Sequence, residues 1–233
     1  VVVRCQIILV AVALLCGCSL LDAAGSDTGD GDTSGGGDAG GQEPGDASPP
    51  CQVVDDFEDG VIGDPWVSWA DDDATVSESN GAMHVSFSGA TEAWAGYDLR
   101  DRIDFTEAEV RVEIQAAGGS YTGFDVCFGD QELELWIEDG DQLVGEVYNT
   151  EASDDSTAVT YDPVAHRILR IRASQGMAYW EASPDGDEWE SIHTQAVPFP
   201  IDDVTVTVEA AGEEGDPPAS FEWFAATPTG CAQ

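Results

Sequence analysis

Residues 132–138 read Glu-Leu-Glu-Leu-Trp-Ile-Glu. In an extended chain, residues two apart point to one face, so Glu132, Glu134 and Glu138 share a side. Two carboxyl groups on one face are the raw material of glycoside hydrolysis, whose retaining form needs them about 5–5.5 Å apart. Glu132 and Glu138 stand roughly 20 Å apart along a strand, so an acidic solvent face is the plainer reading of this series. Trp136 interrupts it. A flat apolar ring at a polar-side position offers a platform for a sugar, and flanking carboxylates can bond the sugar hydroxyls. Arg111, Asp125, Arg170 and Arg172 have the same outward parity on other segments, and Tyr148 joins them beside Glu146. With Trp136 and Glu134 they are the candidate ligand-binding residues, expected to meet on one sheet face. The competing reading has Trp136 covering a sheet edge or packed under a loop, and both readings stay open.

No catalytic set is evident. There is no Gly-x-Ser-x-Gly elbow, no phosphate loop and no His-Glu-x-x-His pair. His84, His166 and His193 are isolated, and Asp71-Asp72-Asp73 reads as a solvated loop. The expectation is a protein that is not an enzyme and that needs no cofactor.

These side chains must be positioned by strands. Val110, Val112 and Ile114 alternate with Glu109, Arg111 and Glu113; Phe124, Val126 and Phe128 with Asp125 and Cys127; Leu133, Leu135 and Ile137 with the acidic series. Leu169 and Ile171 alternate with Arg170 and Arg172, and Val204, Val206 and Val208 with Thr205 and Thr207. A period of two over short runs describes half-buried strands. Asn80-Gly81, Asp139-Gly140 and Asp185-Gly186 mark hairpin turns between them. No long amphipathic helix appears. Many antiparallel strands at short spacing imply an all-β, two-sheet sandwich of jelly-roll type over residues 51–233. Trp66, Trp69, Trp94, Trp180 and Trp223 are expected in its core or between its sheets.

The first 50 residues have a different character. Arg4 precedes an apolar run over residues 7–15, followed by Leu15-Cys16-Gly17-Cys18. This has the layout of an export signal and is too short to span a bilayer, which takes about 20 apolar residues. Leu-Cys-Gly-Cys resembles the lipobox of bacterial lipoproteins. The resemblance implies cleavage after residue 17 and acylation of Cys18; two or more acyl chains make membrane residence stable. Ser19 after the cysteine points, by the same resemblance, to the outer membrane, periplasmic or cell-surface leaflet. Residues 18–50 then form a Gly-, Asp- and Ser-rich linker with almost nothing to bury, which is expected to be disordered. Its r.m.s. reach would be roughly 30 Å.

Charge narrows the list of partners. The chain carries 47 acidic and 7 basic residues, a net charge of −40. Such a surface repels nucleic acid, whose affinity comes from Lys and Arg neutralising phosphates, and anionic headgroups. The remaining partners are the membrane, through the lipid, and a glycan or surface protein. In an oxidising compartment disulfides persist. Cys51 opens the domain and Cys231 nearly closes it, so a Cys51–Cys231 bridge is expected; it would close a long loop worth about 3–5 kcal/mol in the chain-entropy model. Cys127 is left as a partly buried thiol.

The domain also carries a family resemblance. Asp55-Asp-Phe-Glu-Asp59 comes before a Trp-containing segment, and His166-Arg-Ile-Leu-Arg-Ile-Arg172 leads into Ala178-Tyr-Trp-Glu-Ala-Ser-Pro-Asp-Gly-Asp-Glu-Trp189. A late Phe221-Glu-Trp-Phe224 segment closes the order. Together these resemble the concanavalin A-like lectin/glucanase jelly rolls. The resemblance implies a carbohydrate-binding function and a structural calcium near the chain ends, with Asp55, Asp56 and Glu222 as candidate ligands. Family glucanases carry Glu-x-Asp-x-(x)-Glu on one strand. Here Glu132-Leu-Glu134-Leu-Trp136 departs from it, with Glu for the central Asp and Trp136 where the last carboxylate would come. Ser183-Pro-Asp-Gly-Asp-Glu-Trp189 reads as a hairpin with Trp189 packed back under the turn. Three readings follow: a carbohydrate-binding module, a ligand-free structural or interaction module, and a glucanase-like hydrolase.

Overall fold

The computed structural model describes residues 52–149 and 155–230. Cys18, the segments flanking it, and the pair Cys51 and Cys231 lie outside the described residues. Within them every regular element is a strand. In chain order these are β1 (Val53–Asp55), β2 (Trp66–Ala70), β3 (Ala74–Ser79), β4 (Ala82–Phe87), β5 (Ala93–Leu99), β6 (Ala108–Ala116), β7 (Tyr121–Phe128) and β8 (Gln131–Glu138). There follow β9 (Gln142–Tyr148), β10 (Asp155–Thr160), β11 (Ile168–Ser174), β12 (Met177–Ser183), β13 (Glu190–Ala196), β14 (Thr205–Gly212) and β15 (Ala219–Thr227). Sheet I has the order β13-β12-β11-β6-β15-β4-β3, with β1 added beside β15; sheet II has the order β10-β9-β8-β7-β14-β5-β2.

The period of two explains this architecture strand by strand. Val110, Val112 and Ile114 of β6, with Leu169 and Ile171 of β11, bury one face of sheet I. Phe124 and Val126 of β7, Leu133, Leu135 and Ile137 of β8, and Val206 and Val208 of β14 bury the facing side of sheet II. Between them lie Trp180, Phe105, Phe221 and Phe224, and Trp66 meets Phe224 edge-on with ring centroids 4.6 Å apart. Each strand therefore has one side sealed against the other sheet and one side turned outward, as expected of a two-sheet antiparallel sandwich.

Asn80-Gly81 closes the β3–β4 hairpin and Asp139-Gly140 the β8–β9 hairpin. All four residues have positive φ, as tight hairpin turns of right-handed twist require; the β3–β4 loop has two residues and the β8–β9 loop three. Sheet I is long enough to join the domain's ends. Val53, Val54 and Asp55 of β1 pair with Ala226, Ala225 and Phe224 of β15. This brings the start and end of the domain together, a geometric precondition for bridging Cys51 to Cys231.

Candidate functional site

The outward face of sheet II is built in rows set by strand register. One row runs Glu146, Glu134, Asp125, Thr207, Asp98 across β9, β8, β7, β14 and β5. The next runs Trp136, Gly123, Glu209, Gly96, Trp69. On one flank Tyr148, Glu132, Cys127 and Thr205 are in register, and on the other Glu138, Tyr121, Ala211 and Trp94. Four of the sequence candidates, Trp136, Glu134, Asp125 and Tyr148, therefore do share one face.

Arg111, Arg170 and Arg172 do not join them. They lie on β6 and β11, on the outward face of sheet I at the opposite side of the sandwich. Parity reports whether a side chain points in or out, and the strands carrying these arginines belong to the other layer. There Arg170 is nearly sealed and Glu181 holds it at 2.7 Å and Arg172 at 3.0 Å, while Glu109 reaches Arg111 at 2.5 Å and Arg170 at 3.3 Å. Burial pulls the Arg170 guanidinium down and its carboxylate partners push it back up. The Trp189 ring lies 3.7 Å from the Arg170 guanidinium carbon, and Tyr179 lies 3.8 Å from that of Arg172. These are cation–π contacts, and they complete a structural network. Beside it opens a cleft of about 600 Å³ whose lining includes Arg111, Glu113, Arg167, Glu222 and Trp223. Arg167 is committed to Glu113 and Glu222, so the cations of this cleft are held in internal pairs.

Three tryptophans also leave their expected places. Trp66 and Trp180 are core residues, but Trp69 and Trp94 project onto the outward face of sheet II, and Trp223 lines the sheet I cleft. The result is an aromatic run across sheet II: Trp136 stacks on Tyr121 (centroids 5.6 Å apart, planes at 18°), and Tyr121 meets Trp94 at 5.1 Å. The Tyr121 hydroxyl donates to Asp125 at 2.7 Å. Gly123 keeps the space between: a Cβ there would come within 2.5 Å of the Trp136 Cβ and 2.4 Å of the Leu135 carbonyl oxygen.

The carboxylates between these rings are not a solvated face. Asp125, Glu132 and Glu209 are each 2 % exposed, and Asp98 and Glu134 each 7 %. Asp98 accepts from the Thr207 hydroxyl at 2.9 Å and the Trp69 indole N–H at 3.1 Å. Burial nonetheless raises its pKa, with those two bonds opposing the rise. Glu132 has one carboxylate oxygen, Oε1, buried without a hydrogen-bond partner. Buried polar atoms are nearly always satisfied, so this oxygen is an exception within the face. Glu134 faces Asp125 directly across the β7–β8 pair, and Trp136 holds the place a third carboxylate would need.

Two of the three candidate calcium ligands are committed to other partners. Asp55 accepts from the Trp66 indole at 2.7 Å and the Phe57 amide at 2.8 Å, and Glu222 is paired with Arg167. Among the described residues no group of three His, Cys, Asp or Glu is placed to hold a metal ion. Nor is any helix among them long and apolar enough to cross a membrane.

The sequence matches no family model and no curated relative. Solved structures share the fold. A prokaryotic β-1,3-1,4-glucanase (lichenase) from a mouse hindgut metagenome superposes with a TM-score of 0.55 at 13 % identity, covering 76 % of this chain and 99 % of that one. The Bacillus licheniformis β-glucanase gives 0.56 at 14 %, over 76 % and 97 %. The exoplasmic/lumenal domain of VIP36 in its Ca2+/Man3GlcNAc-bound form gives 0.53 at 12 %, over 72 % and 85 %. The sandwich is thus a concanavalin A-like jelly roll, and at these identities the likeness speaks for the fold alone.

Proposed function

We propose that this chain is an exported protein, anchored in the outer membrane by lipid at Cys18, whose sheet II displays a carbohydrate-binding face. The observation that carries the binding reading is the run Trp94–Tyr121–Trp136 lying beside buried carboxylates. Stacked rings give a sugar an apolar surface, and the adjacent oxygens accept its hydroxyl protons. Glucanases and a glycan-bound domain among the fold neighbours support the same reading. The anchor reading rests on the residue pattern around Cys18.

A glycan array followed by calorimetry tests the face. Trp136→Ala should weaken the best ligand at least tenfold, about 1.4 kcal/mol, without changing the fold by circular dichroism. An unchanged affinity rules out Trp136 as the platform, and an array with no ligand leaves the ligand-free interaction module. Hydrolysis is the second reading, favoured by the Glu134–Asp125 pairing with Glu132 two residues along the same face. Release of reducing sugar from β-glucans, abolished in Glu134→Gln, would establish it in place of simple binding. For the anchor, Cys18→Ser should lose labelled palmitate and leave the membrane fraction; retention there refutes the lipid assignment.

A further inference from the structure

The cleft on the outward face of sheet I lies across the sandwich from the proposed carbohydrate face of sheet II, and neither depends on the other. Its floor is made by β6, β15 and the residue before β11, through Arg111, Glu113, Glu222, Trp223 and Arg167. Strict alternation would turn Glu222 and Trp223 to opposite sides of β15. The register of β15 against β6 shifts between Phe221 and Trp223. This bulge buries Phe221 and Phe224 together in the core and leaves Glu222 and Trp223 together in the cleft. Bulges that re-aim a side chain are over-represented beside active sites. Glu113 and Glu222 then close on one nitrogen of Arg167, Nη2, so three segments fix two carboxylates and a guanidinium in one place. Trp223 stands opposite Glu113 in the β6–β15 register and is half-buried. Its ring meets no other ring and no cation among the described residues, unlike Trp136 on Tyr121 or Trp189 on Arg170.

The geometry points to this cleft as a second binding site, for a short neutral glycan of mono- or disaccharide size. Its volume of about 600 Å³ falls in the range of small-molecule clefts, roughly 300–1,000 Å³. The ionic groups of the floor already neutralise one another, Arg167 with Glu113 and Glu222, and Arg111 with Glu109. What they retain is hydrogen-bonding capacity. Arg167 is half-exposed and spends only Nη2 on the two carboxylates, which leaves the donors of Nε and Nη1. Each carboxylate accepts at more positions than one guanidinium nitrogen fills. Donors and acceptors set side by side suit hydroxyl groups, which do both. Asn80, on the β3–β4 turn, adds an amide with the same double capacity, and the Trp223 ring gives a sugar its apolar face. Four exposed carboxylates, Asp56, Glu58, Asp185 and Asp187, complete the lining. An anionic sugar would meet their like charge and find no uncommitted arginine below. A cation drawn in by them would sit against Arg111 and Arg167 on the floor. A neutral ligand avoids both penalties.

The full chain, labelled with fluorotryptophan, should be titrated by fluorine NMR at physiological ionic strength. The neutral probes are cellobiose, lactose, maltose and mannobiose; digalacturonate and tetralysine are the charged ones. The Trp223 signal, assigned by its loss in Trp223→Phe, should shift saturably with at least one neutral disaccharide. That shift should persist in Trp136→Ala, which removes the sheet II platform, and Arg167→Met should weaken the same disaccharide at least tenfold. A Trp223 signal unmoved by all the neutral sugars overturns the inference. If the Trp136 signal moves in that titration, the sheet II reading stands, so the two sites fail separately. A shift lost in Trp136→Ala assigns the sugar to sheet II alone and also overturns it. Digalacturonate or tetralysine moving Trp223 at lower concentration than every neutral sugar makes the ligand an acidic glycan or a basic peptide, and the proposed class is wrong. Unchanged affinity in Arg167→Met refutes the part given to the ionic floor. Should Arg167→Met not fold, Arg167→Lys, which keeps the charge and loses the planar fork, decides by the same criterion.

Discussion

Glu181 holds two arginines at once, receiving Arg170 and Arg172 on a single oxygen within 3.0 Å. Arg170 is sealed from above by Trp189. Removing one member of a buried pair strands its partner, which costs about 3–5 kcal/mol; Arg172 is partly exposed, so Glu181→Ala should cost about 3 kcal/mol in urea denaturation. A loss under 1 kcal/mol would mean that the network is solvated. Asp98 makes a prediction of opposite character. Its folded pKa is raised by burial, so its contribution favours folding below the unfolded carboxylate pKa, about 3.9, and is lost as pH rises through the folded value. Asp98→Asn cannot ionise. The wild type should therefore lose stability relative to Asp98→Asn as pH climbs from 3.5 through the carboxylate range, and a difference that is flat with pH would contradict the burial of Asp98. Several of these residues were legible from alternation alone: Trp136, Glu134, Asp125 and Tyr148 share the face their parity implied. Trp94 and Tyr121 were not: on β5 Trp94 alternates with Ala93 and Ala95, too small to mark a core side, and Tyr121 opens β7 next to Thr122, so no polar–apolar alternation tells its side.

At the scale of elements, the β7–β8 hairpin carries the site. Gly123 has no side chain between Trp136 and Glu209, and an added Cβ would collide with the main chain of β8. Gly123→Ala should destabilise the domain by about 1–3 kcal/mol and weaken ligand binding together with it. Full stability in urea with unchanged binding would show that the strands shift easily and that the platform is not held by their approach. The division of strands into two layers explains why the arginines fall on the opposite face from the one expected. A strand's own residues set its inner and outer sides, but its layer is set by pairing with strands distant in sequence. β7 joins β14 in one sheet and β6 joins β15 in the other, and nothing in the local pattern of β6, β7 or β11 distinguishes these choices.

For the whole molecule, charge outweighs every other surface property. A net charge of −40 on 233 residues repels itself, and the repulsion weakens as the Debye length falls from about 10 Å at 0.1 M to about 3 Å at 1 M salt. The melting temperature should rise between low and molar NaCl, pointing to a saline setting; a flat response would remove that idea. The pairing of β1 with β15 has a mechanical consequence. A load applied to a ligand on sheet II and resisted through the chain before residue 52 enters the fold at β1, only three residues long. From there it passes to β15 and then to β6. β1 is thus the weak link in the load path: pulled hard enough, it peels from β15 before the sheets part. A Cys51–Cys231 bridge would carry the force around that link, turning an attachment that yields at one short ladder into one that yields only with the sandwich.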